Sequence, residues 1–123
     1  SMQVLDDAVL LDLAEVGGGL DFVRELIEDF RKDGGRAIDA VRQALAQQNY
    51  GAWKDQLHML KGGASDVGAL AMAEACATAE RIKPFEIAMP IAAECLEQVA
   101  SAQQNALAAL DDFLARQRNA LGM

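Results

Sequence analysis

Gln56-Leu57-His58-Met59-Leu60-Lys61-Gly62-Gly63-Ala64-Ser65-Asp66-Val67-Gly68 is the stretch whose reading decides the fold. Wound as a helix, it sorts into two faces. Trp53, Leu57, Leu60, Ala64 and Val67 step by four, three, four and three, which draws one apolar stripe. Lys54, His58, Lys61, Gly62 and Ser65 fall on a second stripe, polar and partly bare. The imidazole of His58, the only histidine of the chain, is therefore expected to point to solvent, one turn from the Lys61 ammonium. Gly62 and Gly63 follow at once, where each costs about 1 kcal/mol against alanine in a helix interior. The gain expected in return is access: with no side chain beside the histidine on that face, another surface can come close.

The rest of the chain reads outward from this helix. It runs from Tyr50 or Gly51 to Val67, and Gly68 stands where a helix C-terminus is expected. A further helix follows from Ala69 to Lys83 and stops at Pro84, because the residue before proline is pushed out of helical conformation. Pro84 to Met89 reads as a loop, and Pro90 suits the first turn of a last helix reaching Ala120. Cys95, Val99, Ala102 and Ala106 mark its apolar side, flanked by Leu96, Leu107, Leu110, Phe113 and Leu114. Upstream, Gln48-Asn49-Tyr50-Gly51 is a short turn. Before it, Leu20, Val23, Ile27, Phe30, Ile38, Val41 and Leu45 keep helical phase through Gly34, which predicts one helix over 20–47, bent at Gly34-Gly35. A plain break at that glycine pair is the alternative. Asp6 and Asp7 ahead of Ala8-Val9-Leu10-Leu11 fit the acidic start of a short first helix, which Gly17-Gly18-Gly19 ends. There is no repeat, low-complexity segment or strand pattern. The expected fold is all-α: an antiparallel four-helix bundle, residues 4–121, with the short N-terminal helix capping one end. Residues 1–3 are expected to be a disordered start, with Ser1-Met2 left over from cloning.

Composition narrows the function classes. A chain of 123 residues is one domain with a real core. Apolar residues are 52% but aromatics only 5%, so the core must be built from Ala, Leu, Val and Ile, which suits close-packed helices. A net charge of −8 argues against nucleic acid and against an anionic membrane surface as partners. Cys76 and Cys95 lack metal-type spacing and read as small buried hydrophobes in a reducing compartment, a disulfide being the less favoured reading. No stretch has the length and apolarity of a membrane span and no signal peptide is visible, so a cytoplasmic location is expected, either free or as the cytoplasmic part of a membrane-bound hybrid kinase.

His-x-x-Lys-Gly with a glycine six residues on, here His58, Lys61, Gly62 and Gly68, resembles the phosphoacceptor helix of histidine-containing phosphotransfer (HPt) domains of two-component phosphorelays. Val4–Leu10 and Leu20–Phe30 resemble that family's first two helices, so the resemblance covers roughly the first two thirds of the chain. Gly63 departs mildly, the family often having Ser or Ala there. The resemblance implies a helical bundle that accepts a phosphoryl group on His58 from the aspartate of a receiver domain and passes it to another receiver. In that role His58 supplies the nucleophile and Lys61 reaches the phosphoryl oxygens. Lys54, Gly62 and Ser65 would meet the partner, although Lys54 and Ser65 read equally well as ordinary surface residues. The domain needs no cofactor of its own. Mg²⁺ would come with the receiver, and nothing resembles a nucleotide pocket: Gly17-Gly18-Gly19 lacks the lysine and strand context of a phosphate loop. Whether the domain stands alone or sits in cis within a hybrid sensor kinase stays open.

Glu80 completes the reading. Folding the chain about residue 69 places residue 80 level with residue 58, and Glu80 continues the stripe Leu70, Ala73, Ala77. A carboxylate on an apolar stripe needs a partner, and His58 stands at that height. Some HPt relatives carry Glu at the matching place and others Gln. The expectation is that Glu80 accepts a hydrogen bond from Nδ1–H of His58, leaving Nε2 bare. Pairing with Lys54, Arg81 or Lys83 is the plainer alternative. Trp53 and the methionines read as packing, and Glu25, Glu28 and Asp29 as a solvated face. Two rival functions are a non-catalytic helical adaptor that docks through the same bared face, and a metal or haem bundle, which one histidine without a Glu-x-x-His pair scarcely supports.

Overall fold

The computed structural model describes residues 3–122, so the expectation for Ser1-Met2 lies outside the described residues. Five α-helices follow one another: α1 Asp7–Gly17, α2 Leu20–Ala46, α3 Tyr50–Asp66, α4 Leu70–Glu80 and α5 Pro90–Ala120, with a 3₁₀ turn over Pro84–Ala88. Among the described residues there is no strand, and no helix is long and apolar enough to cross a membrane. Helices α2 to α5 form an antiparallel four-helix bundle in which each packs on the next and α5 returns to α2. Arg31–Asp111 at 2.8 Å and Arg42–Glu97 at 3.0 Å cross the α2–α5 seam and fix its antiparallel sense, though exposed pairs of this kind add little stability.

The short first helix caps one end, where the α3–α4 turn and the end of α5 meet. Asp6 caps α1 by accepting from Ala8 N–H, and its own N–H donates to Gly68 C=O at 2.8 Å. Asp7 pairs with Arg116 of α5 at 3.1 Å. Gly68 lies at φ +71, and a Cβ there would sit 2.8 Å from the Asp6 carbonyl, so both the turn and the docking of α1 require glycine.

The core runs through Val23, Ile27, Val41, Trp53, Leu57, Met72, Cys76, Val99, Leu110 and Phe113. Helix α2 passes unbroken through Gly34-Gly35. Gly34 is where α5 comes closest: a Cβ there would stand 2.5 Å from Gln103 Nε2, the amide of the one buried polar residue in the described chain. Cys76 and Cys95 are free and buried.

Three local expectations need correction. Helix α4 ends at Glu80, not Lys83. Pro84 has no N–H to give the Glu80 carbonyl and its ring crowds that carbonyl, so the last helical turn cannot form. Pro84–Ala88 is a 3₁₀ turn rather than an irregular loop, started by the Glu86 carboxylate accepting from Lys83 N–H at 2.6 Å. The core stripe of α4 is Met72, Cys76 and Ala79; Leu70, Ala73, Ala77 and Glu80 lie along its half-exposed edge.

Candidate functional site

The expected inner stripe of α3 is wholly buried: Trp53, Leu57, Leu60, Ala64 and Val67. That burial turns His58 outward at mid-helix, with 72% of its side chain exposed. Across the α3–α4 seam stands Glu80, the last residue of α4, with only 14% of its side chain exposed. Its Oε2 lies 3.5 Å from His58 Nδ1, within ion-pair reach but long for a hydrogen bond. Its Oε1 lies 3.2 Å from Lys61 Nζ, an ion pair that lacks the alignment of a hydrogen bond. One half-buried carboxylate thus faces both the imidazole and the ammonium of α3, two groups able to offset the cost of its burial. Lys61, expected on the solvent face, is partly covered by this contact.

The remaining site residues divide. Lys54 stands one turn before His58 with its ammonium 6.0 Å from the centre of the Tyr50 ring. It lines an open pocket of about 500 Å³ with Lys61, Glu80, Arg81 and Lys83, four cations around the one carboxylate on a chain of net charge −8. Gly62 and Ser65 are exposed on the His58 face but outside that pocket. A Cβ at Gly62 would meet nothing within 4 Å, and one at Gly63 would make only an ordinary contact with Phe30 at 3.9 Å. Neither glycine is demanded by the packing of the bundle.

Sequence reasoning missed three features here. Met59, read as packing, is 64% exposed beside His58. It lines a mostly apolar groove of about 180 Å³ between α2 and α3, with Phe30, Gly34 and Gly63, rimmed by Asp29, Asp33 and Asp66. Met89 is likewise exposed, whereas Met72 is core. The third is a pair of bonds across the seam: Trp53 Nε1–H donates to Ala79 C=O at 3.2 Å and Tyr50 O–H to Ile82 C=O at 2.8 Å. The aromatic residues themselves were visible; their partners, 26 and 32 residues away, carry no local signal. Burial pushes the Cys76 thiol up to about 12, with the Glu80 charge adding to the rise and Lys61 opposing it. Among the described residues no group of three or more His, Cys, Asp or Glu is placed to hold a metal ion.

The family model described as Hpt domain matches residues 25–120. The chain belongs to the Hpt domain family. Among solved structures it is similar to histidine-containing phosphotransfer protein B (HptB) from Pseudomonas aeruginosa PAO1, with a TM-score of 0.81 and 26% identity over 94% of this chain and 98% of that one. A putative histidine-containing phosphotransfer protein from rice shares the fold, with a TM-score of 0.75 and 19% identity over 92% of this chain and 83% of that one. No curated protein matches the chain. This Hpt domain is a phosphorelay module, and receiver domains are its class of partner.

Proposed function

We propose that this Hpt domain takes a phosphoryl group from a receiver-domain aspartate onto Nε2 of His58 and hands it to a second receiver. The observation that carries the assignment is the placement of Glu80 against Nδ1: a carboxylate there favours the tautomer with its proton on Nδ1 and leaves the Nε2 lone pair free on an exposed ring. The Nε2 lone pair attacks phosphorus in line, the P–O bond to the aspartate breaks, and the carboxylate leaves with the bonding pair. The ring keeps its Nδ1 proton and becomes cationic, and Glu80 faces that charge. Lys61, beside the ring, offsets negative charge on the moving group. Mg²⁺ in this reading belongs to the receiver's aspartyl-phosphate site. The second transfer reverses these steps on another receiver.

Gly62, Lys54 and Ser65 mark the docking face, and the Met59–Phe30 groove beside it gives that face an apolar centre. A carrier must release each partner, so the contact is small and transient. The adaptor reading explains the bared glycines but not the carboxylate behind the histidine.

Incubation with a phosphorylated receiver domain tests the proposal. Wild type is expected to acquire label that is acid-labile and base-stable, and His58→Gln none. Label on His58→Gln would overturn the assignment, and full signalling by a His58→Ala variant would favour the adaptor.

A further inference from the structure

Glu80 is the last residue of α4, a place where helices fray because the final carbonyls have no intrahelical donor. Pro84 forbids the next turn. A carboxylate on a frayed end would not hold a fixed distance from His58. The structure adds side-chain donors from α3, the helix that carries His58. Trp53 Nε1–H reaches the Ala79 carbonyl at 3.2 Å inside the core, and Tyr50 O–H reaches the Ile82 carbonyl at 2.8 Å just beyond the helix end. The two bonds bracket Glu80 in sequence. The backbone donors toward Ala79 C=O belong to the turn that follows, Arg81 N–H and, at 3.5 Å, Ile82 N–H; the indole, at 3.2 Å, reaches it from another helix.

We infer that Tyr50 and Trp53 are positioning residues of the phosphotransfer site, tying the end of α4 to α3 so that Glu80 stands against His58 Nδ1. Both act through Glu80, and neither touches the imidazole or the phosphoryl group. The inference rests on the reading of Glu80 given above. It makes the spacing from Tyr50 and Trp53 to His58 on one rigid helix a ruler for where the carboxylate lies.

Tyr50→Phe and Trp53→Phe, each alone and combined with Glu80→Ala, test it. Tyr50→Phe removes one hydroxyl from a partly exposed ring and leaves the ring beneath Lys54 in place, so it reports even where loss of the Trp53 indole lowers stability. The readouts are the ¹⁵N shifts of the His58 ring, which report the tautomer, and the rate of transfer from a phosphorylated receiver domain that charges wild type. Each single variant is expected to move the ¹⁵N shifts toward those of Glu80→Ala and to slow transfer roughly fivefold, the worth of one net hydrogen bond. In the Glu80→Ala background neither substitution is expected to change shifts or rate further. Wild-type shifts and rates in both single variants, with Glu80→Ala impaired, would overturn the inference. Effects that add in full to Glu80→Ala would do the same, since they would show an action that bypasses Glu80. If Glu80→Ala is itself silent, the reading of Glu80 fails and the inference falls with it.

Discussion

At Gly62 a side chain costs the fold nothing, since a Cβ there meets open space, while glycine in a helix interior sacrifices about 1 kcal/mol against alanine. Gly62→Gln should therefore raise stability by up to about 1 kcal/mol, a few degrees in thermal midpoint for a chain of this size. The same substitution should weaken receiver binding, because the new side chain stands beside His58. Titration of a receiver followed by NMR decides: wild-type affinity in Gly62→Gln would mean that access is not why glycine stands there. Lys61 separates stability from function in the opposite direction. Its pair with Glu80 sits at a partly exposed seam, so Lys61→Ala should cost no more than about 1 kcal/mol. Phosphoryl transfer should slow all the same, because the cation that shares the Glu80 carboxylate with the imidazole is gone. A Lys61→Ala variant that transfers at the wild-type rate would leave the ammonium as only a partner for Glu80.

At the scale of elements, the α3–α4 turn sets the height at which Glu80 meets His58, and it depends on Gly68. An alanine there would hold a left-handed backbone at roughly 1–2 kcal/mol and drive its Cβ against the Asp6 carbonyl, 2.8 Å away. Gly68→Ala should lower stability by about 2 kcal/mol or more and loosen α1, visible as faster amide exchange at Asp6 N–H, which donates to Gly68. Unchanged exchange would mean that α1 is held elsewhere. This turn also explains why so much was legible in the sequence. A short hairpin with a fixed glycine pivot lets residue numbers be folded onto each other, and 58 against 80 followed from that. The α3 stripe was legible because five apolar residues in phase leave one choice of inner face. The end of α4 was not, because the signal before proline marks Lys83 while the steric consequence acts four residues back at Glu80. The core side of α4 was not, because alanine fits inside and outside alike. Met59 was misplaced because it lies between the two stripes, where only the neighbouring helix decides exposure. Trp53 with Ala79 and Gly34 with Gln103 are contacts between helices, set by packing rather than by any local pattern.

Across the whole molecule, the site is a seam feature of a rigid bundle, and its carboxylate is coupled to the core beneath it. Cys76 lies one turn before Glu80, wholly buried, with its thiol pushed up to about 12 first by burial and then by the Glu80 charge. Released into the unfolded chain it returns to its ordinary value of 9.0. The folded state therefore holds a proton that the unfolded state gives up between these two values. The folded pKa is raised, so the stabilisation is complete below the unfolded value and is lost as pH rises toward the folded one. While the unfolded thiol is ionised and the folded one is not, the loss approaches about 1.4 kcal/mol per pH unit from this group alone. The contribution is isolated by comparing wild type with Cys76→Ala in denaturant melts between pH 8 and 11. The alanine variant is expected to be less stable at pH 8, where a buried side chain has been cut back, and to lose stability less steeply as pH rises. The gap between the two proteins should narrow by more than 1 kcal/mol across that range. A constant gap would show that the thiol ionises in the folded protein as readily as in the unfolded one, and that water reaches the core directly beneath Glu80.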